Sequence, residues 1–311
     1  MALTNYEFVS NDANYNNVIL RDTTRILIND NNLKPTWIKS PAAFSEFFIQ
    51  RNKKTLLVVI GESWTYGESL PGVATALGKF DIFSQLMHGM GSKMALTLDA
   101  DLYQYAVPGN CNLFMFEELG RILDYVSKLG YRQIYVCQQM TEQGRDNSIL
   151  PNYPTHPLNN LYREPGLFFE DFLMRYDEIF CEIYAKLIYK YNQLTPMNAI
   201  LWRNFCKLNT RRRDYPFKII EPTWIEYSAK ILGIPFESPK FYVAGWIQNL
   251  QQHYSNNINF NLTMLNAELD KVEQSNDLIK SNPLHNAHPN TNGHSLWANY
   301  LIRNAGWRND I

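Results

Sequence analysis

The chain has 311 residues, 45% of them hydrophobic and 19% charged, with a formal net charge of −1, enough for one large domain or two small ones around a sizeable core. The charge balance excludes a global basic field for nucleic acid and an acidic tail, and no stretch reaches the roughly 18 consecutive apolar residues of a membrane helix. The polar opening MALTNYEFVSNDANYNN lacks the basic start and apolar middle of a secretory signal, so a cytoplasmic location is expected, with association with a virus particle as the alternative.

Residues 1–50 predict an extended amino-terminal arm ending in a short helix over Ser40 to Gln50, where Pro41 follows a serine cap and Phe44, Phe47 and Phe48 share a face. From 51 to 311 a single α/β domain is expected. TLLVVI, from Thr55, is a short apolar run closed by Gly61 and reads as a buried strand. FDIFSQLMHGMG then predicts a helix ending at Gly91, DLYQYAV a second strand over 101–107, and NLFMFEELGRILDYVSKLG a helix capped by Gly130. RQIYVCQQM predicts a third strand, the amphipathic run over 167–194 a long helix, NAILWRNF a fourth strand and SLWANYLIRNAG a closing helix. Short buried strands alternating with helices predict a parallel sheet covered on both faces. Two irregular stretches, near 142–166 and 210–242, read as inserted loops. The four cysteines are scattered through apolar runs and read as reduced, buried side chains.

In an open parallel sheet, ligands bind at the carboxyl ends of the strands. Gly61-Glu62-Ser63 leaves the first strand at that rim, and a hydroxyl there suits a nucleophile. The plain alternative is a turn or helix-cap serine. Near the carboxyl terminus, HPNTNGHSLWANYL places His288 before Pro289 and ahead of the last helix, where backbone holds an imidazole that can reach a serine as general base.

These segments resemble the SGNH, or GDSL, hydrolase superfamily. Gly61-Glu62-Ser63-Trp64-Thr65-Tyr66-Gly67 is similar to its first block, with Glu62 for the usual aspartate; Ala106 to Asn112 is similar to the second; His288-Pro289 matches the last. The resemblance implies a three-layer α/β/α sandwich with a doubly wound, mostly parallel, flavodoxin-like sheet. It implies hydrolysis of carboxylic esters, often acetyl groups on sugars, with Ser63 as nucleophile, His288 as general base and no cofactor or metal. The Ser63 and Gly109 N–H groups would form the oxyanion hole.

Two departures bear on the chemistry. The family's aspartate three residues before the histidine is here His285, and loss of such a carboxylate costs serine proteases roughly 10⁴-fold in rate. His288 would then work with Ser63 alone, with His285, or with a carboxylate from elsewhere, Asp277 being the nearest upstream. The family's asparagine after the third strand is also missing; Gln139, Gln138 or Thr141 would supply the third oxyanion donor, Gln139 being the first choice. Trp64 and Asn112 are expected to contact substrate. The expected partner is a small-molecule or carbohydrate ester, with neither nucleic acid nor membrane; the sequence does not set an oligomeric state. A second reading keeps the fold as a binding or structural module, for example of a phage particle, with an eroded site. A zinc site built from His285, His288 and His294 is the third, disfavoured because Pro289 spoils helical spacing.

Overall fold

The computed structural model describes residues 5–7, 19–21, 26–28, 36–38, 46–67, 88–107, 110–141, 169–204, 206–212, 214–231, 279–282, 285–289 and 291–308. In chain order its strands are β1 (Asn5–Glu7), β2 (Ile19–Arg21), β3 (Ile26–Ile28), β4 (Thr36–Ile38), β5 (Glu46–Ile49), β6 (Thr55–Gly61), β7 (Asp101–Ala106), β8 (Gln133–Gln139), β9 (Met197–Trp202), β10 (Lys218–Ile219), β11 (Ile279–Asn282) and β12 (His285–Pro289). Its helices are α1 (Ser63–Tyr66), α2 (Met90–Thr97), α3 (Asn112–Val126), α4 (Phe169–Asn192), α5 (Trp224–Ile231) and α6 (Thr291–Ala305).

Eight of the twelve described strands form one sheet in the order β10-β9-β8-β6-β7-β5-β4-β3, while β1 pairs with β2 and β11 with β12. From β10 to β7 every pairing is parallel; β5, β4 and β3 extend the β7 edge antiparallel. Counted among themselves, the five parallel strands run 2-1-3-4-5, the flavodoxin-like order, whose direction of winding reverses between the first and third strands. Here that switch point lies between β6 and β8.

The apolar run LLVVI explains the layers. Successive strand residues point to opposite faces. Leu57 and Val59 join Leu102, Cys137 and Ile200 under α2, α5 and α6. Leu56, Val58 and Ile60 join Ile134, Val136 and Leu201 under α3 and α4. A strand buried on both faces reads as an unbroken apolar stretch, as this one does. The result is a three-layer α/β/α sandwich with a doubly wound, mostly parallel sheet. The four cysteines are buried and none forms a disulfide.

Three local expectations change. The helix expected over 40–50 is instead strand β5 from Glu46 to Ile49, with 40–45 outside the described residues. Phe47 enters one core and Phe48 the other, a period-two split that a helical face cannot produce. The expected helix end at Gly91 is not found: α2 starts at Met90 and runs to Thr97, and 68–87, which hold most of the expected helix, lie outside the described residues. The irregular run over 210–242 contains β10 and α5, and Trp224 of α5 is fully buried. The loop expected over 142–166 lies outside the described residues.

Candidate active site

β6 delivers Gly61, Glu62 and Ser63 to the switch point. Glu62 caps α1, its side chain accepting from Trp64 N, and Gly67 closes this one-turn helix at φ 84°, a left-handed torsion that favours glycine. Ser63 is the first residue of α1. Gly61 is needed for a different reason: its torsion is ordinary, but a Cβ there would overlap Thr65 Oγ1 and Gln139 Oε1.

Those two atoms belong to a buried polar network. Ser63 Oγ donates to Glu62 Oε2 at 2.6 Å. Glu62 Oε1 accepts from Gln139 Nε2 at 2.8 Å, from Asn204 Nδ2 at 2.6 Å and from Trp64 N at 3.2 Å. Gln139 Oε1 accepts from Glu62 N at 3.0 Å and from Thr65 Oγ1 at 2.5 Å, and Gln139 Nε2 also donates to Asn204 Oδ1 at 2.8 Å. Glu62, Thr65, Gln139 and Asn204 are wholly buried, and Ser63 is 4% exposed. A carboxylate taken out of water needs this density of donors, because each lone pair left unfilled carries a desolvation penalty.

Two further clasps fix the rim. Asn112, the first residue of α3, accepts from Thr141 N at 2.8 Å and donates to Thr141 O and Tyr176 Oη, both at 3.0 Å, tying α3 to the exit of β8 and to α4. Arg203, directly after β9, makes a bidentate pair with Asp177 of α4 at 2.6 and 2.9 Å, both side chains essentially without exposure. Asp177 also accepts from Asn209 N at 2.8 Å, so the pair sets the path of the loop that presents Asn204.

The closing segment arrives at the same rim. Trp297 of α6 packs on Trp202, the last residue of β9, while Trp307, beyond the helix, packs on Tyr135 near the start of β8. α6 therefore runs antiparallel to the parallel strands, with its amino end over their carboxyl ends. His294 in its first turn is buried against Trp224 at 5.3 Å, and Trp64, the neighbour of Ser63, packs on that same indole at 5.1 Å. His294 Nδ1 accepts from Met90 N at 3.1 Å, satisfying a donor that the first turn of α2 leaves open. β12, which carries His285 and His288, leads directly into α6. Its backbone pairs antiparallel with β11, Lys280 opposite His288 and Asn282 opposite His285, where a loop was expected.

The structure brings Ser63 to the strand rim at the switch point and reassigns three expected contacts. Gln139 has both amide protons committed to Glu62 and Asn204, so it is a support of the network and has no proton left for an oxyanion. Trp64 is 1% exposed and belongs to the core, not to a sugar platform. Asn112 is the clasp between α3 and β8. Gly109 lies outside the described residues, as does Asp277; the strand leading to Gly109 departs beside Gly61, with Val107 N donating to Gly61 O at 3.2 Å. Of the other two candidates for a third donor, Gln138 donates to Gln139 O. Thr141 keeps a buried hydroxyl with no hydrogen-bond partner among the described residues. His294 serves as a helix cap, and no group of His, Cys, Asp and Glu among the described residues is placed to hold a metal. No described helix is long and apolar enough to cross a membrane. Asn204 and Glu62 are the members of this network to which sequence reasoning gave no role. Their signal was the polar residue that directly follows each apolar strand, Glu62 after LLVVIG and Arg203-Asn204 after NAILW.

No family model matches the chain, and no curated protein matches it. Solved structures similar to it include the acetylxylan esterase Axe2 from Geobacillus stearothermophilus, at 14% identity over 82% of this chain and 94% of that one, with a TM-score of 0.34. The lipase Lip_vut3 from a goat rumen metagenome matches at 16% identity over 82% and 98%, with a TM-score of 0.36. A putative lipolytic protein of the G-D-S-L family from Desulfitobacterium hafniense matches at 12% identity over 80% and 98%, with a TM-score of 0.34.

Proposed function

We propose that the protein is a serine ester hydrolase of the SGNH type, acting on small or carbohydrate-borne esters, acetyl esters first among them. The observation that carries this reading is the placement of Ser63 at the switch point, with its neighbour Trp64 packed on the indole of Trp224, on which α6, the element next to His288, also packs. In the proposed cycle the Ser63 oxygen attacks the ester carbonyl carbon while its proton passes to His288. The carbonyl oxygen becomes the oxyanion, supported by the N–H groups of Ser63 and Gly109 and by the Thr141 hydroxyl. Collapse breaks the carbon–alkoxide bond, and the alcohol leaves with the proton from His288. Water then gives a proton to His288 and its oxygen to the acyl carbon; the bond from that carbon to Ser63 Oγ breaks, His288 returns the proton to Ser63 Oγ, and the acid leaves. No step calls for a metal or cofactor.

Labelling with a fluorophosphonate probe, together with turnover of p-nitrophenyl acetate, tests this. Both are expected in the unsubstituted protein and both are expected to vanish in Ser63→Ala. Absence of both from the unsubstituted protein would favour the second reading, an SGNH-like binding or structural module, which is supported by His285 standing where the family has a carboxylate. For Thr141→Val the expected outcome is a fall in kcat of about 10²-fold with KM little changed, the signature of a donor used in the transition state.

A further inference from the structure

An imidazole that takes a proton inside a water-poor site becomes a cation, and it needs a counter-charge to do so readily. Residue 285 cannot supply one, being a histidine. The described site does hold one buried carboxylate within hydrogen-bond reach of the nucleophile. We propose that Glu62 is a positioning residue that supplies the negative charge opposite the protonated general base. The inference rests on the serine–histidine reading above.

The geometry follows from Ser63 alone. Its Oγ lies 2.6 Å from Glu62 Oε2. A base that accepts the Oγ proton must come within roughly 3 Å of that oxygen, and so within about 6 Å of the carboxylate whatever its direction of approach. At that range, in a dry site, an opposite charge favours the imidazolium. The four donors described on Glu62 suit a carboxylate, not a carboxylic acid, and hold it in place: three converge on Oε1, which leaves Oε2 facing Ser63. The side chains among them, Ser63, Gln139 and Asn204, are uncharged, and the adjacent cation Arg203 is bonded to Asp177. In the structure the Ser63 proton faces Glu62; rotation of the hydroxyl about its C–O bond redirects it to the base at the start of each turnover.

The test compares the full chain with Glu62→Gln and Glu62→Asp. Proton NMR titration follows the histidine rings, with His288 identified by the resonance missing from His288→Gln. Glu62→Gln keeps the shape of the side chain and removes the charge. Its His288 midpoint is expected to move to lower pH, because loss of a nearby negative charge disfavours the imidazolium. The acid limb of kcat/KM for p-nitrophenyl acetate is expected to move with it, and the plateau to fall at least about tenfold. Glu62→Asp is expected to hold the midpoint closer to that of the unsubstituted protein. In the unsubstituted protein with ¹³C-labelled glutamate, the Glu62 carboxyl resonance should inflect at the His288 midpoint, since coupling is reciprocal. That reading needs no substitution and serves if Glu62→Gln fails to fold. A His288 midpoint indifferent to Glu62→Gln, or a Glu62 resonance flat through it, overturns the inference even where rates fall, because a purely structural role would lower rates without moving the titration. Coupling observed in a protein that neither turns over ester nor labels at Ser63 upholds the pairing and overturns the hydrolase reading.

Discussion

At position 61 a single added carbon would collide with two members of the network that holds Ser63. Gly61→Ala is expected to push Thr65 and Gln139 apart, lower stability by about 1–3 kcal/mol as overpacking does, and abolish esterase turnover; urea unfolding and the p-nitrophenyl acetate assay check both. Thr65→Val is the milder probe. It keeps the volume and removes one donor to Gln139 Oε1, so a loss of about 1 kcal/mol is expected, with activity reduced but present. The rim position of Ser63 was legible in the sequence because a short apolar run closed by Gly-x-Ser is a local pattern. Its supports were not, since Gln139 lies 76 residues and Asn204 141 residues further along the chain, and only the parallel pairing of β6, β8 and β9 brings their strand ends side by side. Trp64 misled for the opposite reason. An aromatic beside a candidate nucleophile looks like a ligand platform until packing against α5 encloses it.

The elements read from apolar periodicity are those whose pattern is unbroken or long. β6, β7, β8 and β9 appear where their apolar runs lie, and α4 where its amphipathic run lies. β5 did not, because four residues with phenylalanines at adjacent positions satisfy a short helix and a strand equally; pairing with β7 decides. The connections carry testable weight. Removing one partner of the buried Arg203–Asp177 pair strands a charge, and Asp177→Asn is expected to lower stability by about 3–5 kcal/mol in chemical denaturation. The loop after β9 would shift with it, so Asn204 should release Glu62 and turnover should fall as well.

For the molecule as a whole, burial places a pH limit on stability. The Cys137 and Cys181 thiols are pushed up to about 12 by removal from water. A thiol whose folded value lies above its unfolded one stays protonated in the native state while the unfolded chain ionises, so the unfolded state binds fewer protons and stability falls as pH rises from about 9 towards 12. The urea midpoint is therefore expected to be lower at pH 10 than at pH 8, with the difference reduced in Cys137→Ala.

The antiparallel pairing of β5 with β7 also bears on any shortened form of this chain. Cutting away residues 1–50 would leave β7 as a bare border with its backbone groups unfilled from Leu102 to Tyr105, and it would withdraw Phe47 and Phe48, one plug from each side of the sheet. Such a border is a template for strands of other molecules. What reads as a dispensable leader is a bolt through both layers, and a protein deprived of it should precipitate before it can be assayed.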